Sequence, residues 1–204
     1  MDQSLIPTKA NLIQTRGSLS LAKAGWELLD RKRSILIREM TAMLDDVRGL
    51  QGRINAAFAQ AYALLQRANM TVGQSDLLDI VESRAPSGQV SVTYKSVMGV
   101  ELPAVKPASG SPPELFYGLE RTNNAFDGAY IKFCEVRDLA AAMAGYENSV
   151  YRLAYAIRQT QRRANALRNV VIPRLEAAVT RIAASLEEKD RDAFTALKVI
   201  KRKK

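Results

Sequence analysis

The chain has no histidine, one cysteine, one tryptophan and few aromatic residues of any kind, 6% in all. Without histidine the commonest general base and metal ligand is missing, so neither hydrolytic nor metal-dependent chemistry is expected and no cofactor is called for. The single Cys134 leaves no internal disulfide to form and reads as an inert, packed thiol. Few aromatics, with Ala, Leu and Arg frequent, suit thin helical seams better than a thick globular interior. No run approaches the roughly 20 apolar residues that span a bilayer, and no basic-then-apolar signal opens the chain. A cytoplasmic protein without membrane insertion is expected.

What is present is a long repeat. Hydrophobic content of 47% over 204 residues excludes a disordered chain. Between residues 12 and 68 the apolar residues recur every seven, with Leu12, Leu19, Trp26, Arg33, Met40, Val47, Ile54, Ala61 and Ala68 at position a. Position d holds Thr15, Ala22, Leu29, Leu36, Met43, Leu50, Ala57 and Leu64. Only Thr15 and Arg33 interrupt the apolar seam. A 3.5-residue period sustained this far predicts a long helix supercoiled on a partner, reaching roughly 85 Å at 1.5 Å per residue.

The net charge of +9 is unevenly distributed. Residues 1–70 carry ten Lys or Arg against six Asp or Glu, residues 71–120 three against six, and residues 121–204 seventeen against nine. Basic outer segments could hold nucleic acid, an anionic membrane or an acidic protein cavity, or simply be solvated helix faces.

Pro7 and Thr8 mark the start of the first helix, expected over about 10–69. A hairpin and loop region follows over about 70–112. Within it Ser75 to Glu82 reads as a short helical turn, and Gln89 to Val97 alternates like a half-buried strand. Met98 and Gly99 form the expected turn, and Val100 to Leu102 the return strand, ended by Pro103. Residues 103–113, with four of the seven prolines, read as a loop. Ser111, Pro112, Pro113 and Glu114 have the form of a capping box, so the second helix is expected over about 113–201. Its stripe runs through Leu119, Phe126, Ala129, Phe133, Val136, Ala140 and Met143, then Tyr146, Val150, Leu153, Ile157, Ala164, Leu167 and Val171. Pro173 predicts a kink or local unwinding. Beyond it the stripe shifts by one residue, to Leu175, Val179, Ile182, Leu186, Ala193, Leu197 and Ile200.

The fold class that follows is mainly α, a long antiparallel two-helix coiled coil with a small β-hairpin in the middle segment, forming a single elongated domain over 1–204. With level ends, facing residue numbers would sum to about 212. That register sets Pro173 opposite Met40 and Arg33 opposite Val179, within reach of Glu176 or of carbonyls freed at the kink. Arg33 is then either a register device inside the seam or a side chain that snorkels to the surface.

Two stretches go beyond a generic coiled coil. Pro7-Thr8-Lys9 followed by Leu12, Leu19, Ala22, Gly25, Leu28, Leu29 and Lys32-Arg33 is one; Thr160 through Asn165-Ala166-Leu167 to Ile172-Pro173-Arg174 is the other. Together they resemble the D subunits of the V-type and archaeal-type rotary ATPases. Val97-Met98-Gly99-Val100 with Pro103 is similar to that family's short hairpin, and Glu187 to Lys204 fits its charged tail. The resemblance implies a non-catalytic central rotor shaft that transmits torque between a catalytic hexamer and a membrane ring, for ATP synthesis or ATP-driven ion transport such as hydrogen ion transport. The implied partners are the A/B-type hexamer, the small F subunit of the central stalk and a ring-adapter subunit, with no nucleic acid. Lys9, Arg16, Arg33, Arg162, Arg163, Arg168 and Arg174 are the expected contacts with the hexamer or stalk partner. Met98, Gly99, Val100 and Pro103 form the ring-side hairpin, and Pro173 the kink. The implied location is cytoplasmic, peripheral to the membrane. The competing readings are a basic coiled coil that binds nucleic acid, which rests on charge alone, and an export-stalk scaffold.

Overall fold

The computed structural model describes residues 6–82, 90–107, 116–118 and 122–203. In chain order these form α1 (Lys9–Thr71), α2 (Gln74–Glu82), β1 (Val90–Val97), β2 (Val100–Pro107), α3 (Asn124–Ala166), a π-helical turn (Leu167–Val171) and α4 (Ile172–Lys203). The protein is mainly α, its long helices paired antiparallel with a small β-hairpin between them in sequence. By their contacts the residues group into two compact units, 1–35 with 157–204, and 36–156.

In the first unit α1 begins where Pro7 and Thr8 direct it. The Thr8 hydroxyl oxygen accepts the Asn11 N–H at 3.2 Å, which caps one of the donors that a helix start leaves unpaired. The seam is real along the whole of α1: every one of its a and d positions is buried or half-buried, and none is exposed. Thr15 tolerates burial because its hydroxyl donates to the Asn11 carbonyl at 2.7 Å.

The register differs from the level-ended one. Arg33 meets Gln161 rather than Val179, Leu167 packs beside Gly25, and Arg168 lies over Trp26. Facing numbers therefore sum to about 194, and the returning helix is advanced by eighteen residues, roughly 27 Å along the axis. Glu176, expected near Arg33, pairs instead with Lys23 at 2.7 Å. Pro173, between Arg168 and Glu176, consequently lies across from the stretch Lys23 to Trp26, not across from Met40. Because of this advance α4 passes the start of α1. Lys189 Nζ reaches the Pro7 carbonyl at 3.4 Å, and every residue from 190 to 202 is exposed. Ala193, Leu197 and Ile200, expected in the seam, have no described stretch of α1 to face.

The irregularity expected at Pro173 is found a few residues earlier. Leu167–Val171 form a π-helical turn in which the Ile172 N–H donates to the Leu167 carbonyl, five residues back. A π turn inserts one extra residue, and this accounts for the one-residue shift of the apolar stripe. The Pro173 ring would otherwise meet the carbonyl four residues before it, Asn169, and that residue lies inside the widened turn. Val171 is thereby turned outward and exposed.

In the second unit the same antiparallel pairing joins the later half of α1 to α3. Ala57 and Ala61 bury against Val136, with Phe58, Phe133 and Leu139 around them. Ala68, Leu77 of α2 and Phe126 form the next cluster. Small residues on α1 let the helices approach, and aromatic rings from both helices, Phe58 of α1 and Phe133 and Phe126 of α3, flank them. α3 starts at Asn124, not near residue 113: Asn123 Oδ1 accepts the Phe126 N–H at 3.0 Å, and residues 116–118 are not helical. Ser111 to Glu114 and Leu119 lie outside the described residues. Phe116, Tyr117, Phe126 and Tyr130 meet edge to face at this end of α3. Of the remaining stripe positions, Ala140 and Tyr146 are exposed. Next to Tyr146, it is Gly145 and Ser149 that are buried, because the hairpin packs there.

Candidate partner-binding surfaces

The basic residues expected to make contacts divide into engaged and exposed. Lys9 opens α1 and Arg16 follows seven residues on, both exposed on one face of the helix. Arg162 and Arg163 are exposed near the end of α3, and Arg174 is exposed at the start of α4. Arg168, in the π turn, places its guanidinium 5.5 Å from the Trp26 ring centroid, a cation–π contact that ties the widened turn to α1. Arg33 turns across the seam: its Nη1 donates to Gln161 Oε1, and its Nη2 lies 3.6 Å from Asp30. Its Nε is buried without a partner among the described residues. The side chain therefore bridges the two helices instead of snorkelling.

The end of α4 presents a second surface. Phe194, Leu197 and Ile200 are 70%, 66% and 60% exposed, three large apolar side chains close together on one helix. Arg191, Lys198, Lys201 and Arg202 stand among them. No described helix is long and apolar enough to cross a membrane.

The hairpin is the third. Met98 and Gly99 both have positive φ, 51° and 78°, which defines the mirror-image turn that matches strand twist. The return strand does not stop at Pro103 but runs through it to Pro107, pairing Tyr94 with Pro103 and Val90 with Pro107. Counting from the Val97↔Val100 pair that flanks the turn, both prolines fall in pairs that exchange no backbone hydrogen bonds, so the ladder loses nothing at either. The hairpin is fixed to α3. Ser149 Oγ lies 3.0 Å from the Pro103 carbonyl and 2.8 Å from the Gly145 carbonyl. Arg152 Nη1 donates to the Glu101 carbonyl at 3.1 Å, and its guanidinium lies 5.9 Å from the Tyr94 ring centroid.

Comparison with known proteins decides the family. A family model for the D subunit of ATP synthase matches residues 11–202. The chain belongs to the ATP synthase D-subunit family. It is 36% identical over 200 residues to the V-type ATP synthase D subunit of Thermotoga neapolitana, covering 98% of each chain. To the A-type ATP synthase D subunit of Thermococcus kodakarensis it is 36% identical over 197 residues, covering 96% of this chain and 92% of that one. The corresponding protein of Pyrococcus furiosus is 32% identical over the same length and coverage.

Within this D-subunit chain the residues that sequence reasoning missed are those that hold the hairpin. Gly145, Ser149 and Arg152 are spaced four and three apart, so they share one face of α3. A Cβ on Gly145 would sit 3.0 Å from the Val105 backbone nitrogen and from its Cγ2. A glycine and a serine one turn apart on a helix, in line with an arginine, was the available signal for close approach of another backbone. Gln161 was also missed, since its role depends on a register that only the folded pair reveals.

Proposed function

We propose that this chain is the central-stalk rotor subunit of a V/A-type ATPase, a non-catalytic part that carries torque between the catalytic hexamer and the membrane ring. The observation that carries the reading is the advanced end of α4. Its large apolar side chains extend past the described part of α1 and bury against nothing among the described residues, which suits a surrounding apolar sleeve. In this reading the hexamer supplies the sleeve. The basic residues Lys9, Arg16, Arg162, Arg163 and Arg174 meet the hexamer or the small F subunit of the stalk.

The mechanism needs no reacting group on this chain. A helical pair with unlike faces presents a different surface to each catalytic site around it, and each orientation favours one set of open and closed sites by differential binding. Turning the shaft then exchanges those states, and ion flow through the ring turns it the other way. The hairpin faces the ring side and its adapter protein. The protein works in the cytoplasm as a peripheral part of the complex.

The reading is tested by co-expression with the hexamer and small-stalk proteins. A stable complex whose ATP hydrolysis turns a bead fixed to this chain is the expected result. Failure of correctly folded chain to join the hexamer would overturn it.

A further inference from the structure

The two outer edges of the hairpin are treated unequally. Backbone pairing alternates outward from Val97↔Val100, so the N–H and C=O groups of Glu101, Pro103 and Val105 point away from β1. By the same parity those of Val92, Tyr94 and Ser96 point away from β2. The outer edge of β2 is closed several times over. Pro103 and Pro107 have no N–H to offer, Arg152 and Ser149 occupy the Glu101 and Pro103 carbonyls, and Val105 lies against Gly145. The outer edge of β1 has none of these devices. It contains neither proline nor acidic residue, and no described residue bonds the backbone of Val92, Tyr94 or Ser96. Val92 and Tyr94 are 46% and 61% exposed. A strand edge of this length with its outward backbone groups unbonded is a template for another strand.

Charge defines what would fit. Cross-strand neighbours share a face, so Lys95 and Lys106 lie on the same face of the hairpin, and neither has an ion-pair partner among the described residues. The opposite face carries the row Val90, Val92 and Tyr94. We infer that the outer edge of β1 is a strand-addition site for an extended segment of a partner protein that alternates apolar with acidic side chains. Its apolar row continues the valine and tyrosine row, and its acidic row lies beside Lys95. The hairpin is already clamped to α3, so only the incoming segment has to be ordered. The site does not depend on the rotor reading.

The test is amide hydrogen exchange on the full chain with a synthetic ten-residue peptide alternating valine and glutamate. In the free chain the amides of Val92, Tyr94 and Ser96 exchange about tenfold faster than those of Ser91, Thr93 and Lys95. Millimolar peptide slows the outward set about fivefold, and a valine–lysine peptide does not. Val92→Pro removes one outward N–H while sparing the ladder to β2, and it abolishes the slowing while the Ser91 and Thr93 amides stay protected. Lys95→Glu, at an exposed position, abolishes it without touching the backbone. The inference is overturned by outward amides that are already slow in the free chain, by slowing that tracks the chain's own concentration, by equal response to both peptides, or by no response to the glutamate peptide.

Discussion

Arg33 donates across the helix pair to Gln161, in a register of the first unit eighteen residues away from one with level ends. Its guanidinium also draws on Asp30, three residues earlier on the same helix. A cation in a seam costs desolvation and is tolerated when its donors are taken. Here one donor, Nε, is not.

A cation whose donors are only partly satisfied in a seam adds little net stability. Arg33→Met should therefore leave the melting temperature nearly unchanged or raise it, since it relieves the unpaired Nε. Gln161→Leu alone should destabilise by about 1–2 kcal/mol, because it leaves the half-buried Arg33 Nη1 without its acceptor while Asp30 remains. The double variant should recover most of that loss. A coupling energy near zero in the urea-denaturation cycle would show that Arg33 and Gln161 act independently.

The hairpin's seat on α3 is close enough to exclude a methyl group. Gly145→Ala places a Cβ 3.0 Å from the Val105 backbone, where no flexible side-chain end can yield. A cost of about 1–3 kcal/mol is expected, with faster hydrogen exchange over residues 100–106 and little change in α1. Ser149→Ala, which removes a hydroxyl but no volume constraint, should cost about 1 kcal/mol. Equal effects from the two would mean that packing is not what holds the hairpin.

Met98 is the one non-glycine with positive φ among the described residues. Left-handed backbone costs a residue with a Cβ about 1–2 kcal/mol, least for asparagine, which suits the first centre of this turn. Met98→Asn should stabilise the hairpin by about 0.5–1 kcal/mol, read as slower exchange of the inward amides of β1. Unchanged exchange rates would count against the turn assignment.

How far the sequence spoke for the fold depended on how local each signal was. The α1 seam was fully legible, from Leu12 to Ala68, because a heptad stripe is written in consecutive turns of one helix. The helix start at Pro7-Thr8, the turn at Met98-Gly99 and the one-residue slip near Pro173 were legible for the same reason. The register was not. Level ends would set Arg33 opposite Val179, whereas it meets Gln161, and nothing in either helix alone records an offset between them. Pro103 was read as a strand end because proline lacks an N–H; the parity that makes this harmless appears only once the turn pair is counted outward. Ser111 to Glu114 resembled a cap, yet the cap that starts α3 is Asn123. For the candidate surfaces, the arginines were visible as charges, but that Arg33 and Arg168 are engaged within the fold followed from partners more than a hundred residues away.

The phenol of Tyr117 donates to Asp127 Oδ1 at 2.7 Å at the start of α3. Burial first, and then this bond, push its pKa well above that of an ordinary tyrosine. A raised acid holds its proton more tightly folded than unfolded, so its stabilising effect is complete below about pH 10, the ordinary tyrosine value, and is lost as pH climbs past it. Thermal melts between pH 9 and 11.5 should show the parent chain losing stability more steeply than Tyr117→Phe. At neutral pH the variant should be weaker by about 1 kcal/mol, since Asp127 loses a donor. Parallel curves would assign the alkaline loss to other groups.

The advanced end of α4 separates folding from function. Residues 190–202 are all exposed, so no side chain among them is buried against the described residues. Helix propensity and local contacts such as the exposed Arg191–Glu187 pair hold them, and an end of this kind frays. A chain ended after Lys189 keeps the Lys189 to Pro7 contact and every seam residue from Ala22 to Ile182. Its unfolding free energy should match the parent's within about 0.5 kcal/mol. If a partner's apolar sleeve buries Phe194, Leu197 and Ile200, the same truncation should weaken binding to the hexamer by tenfold or more, since three large side chains leaving water stabilise by about 1.5–3 kcal/mol each. Replacing those three with serine in the full-length chain should reproduce the binding loss without shortening the helix. A truncated chain that binds the hexamer and supports rotation as well as the parent would show that the exposed apolar end is not the part of the shaft that the hexamer holds.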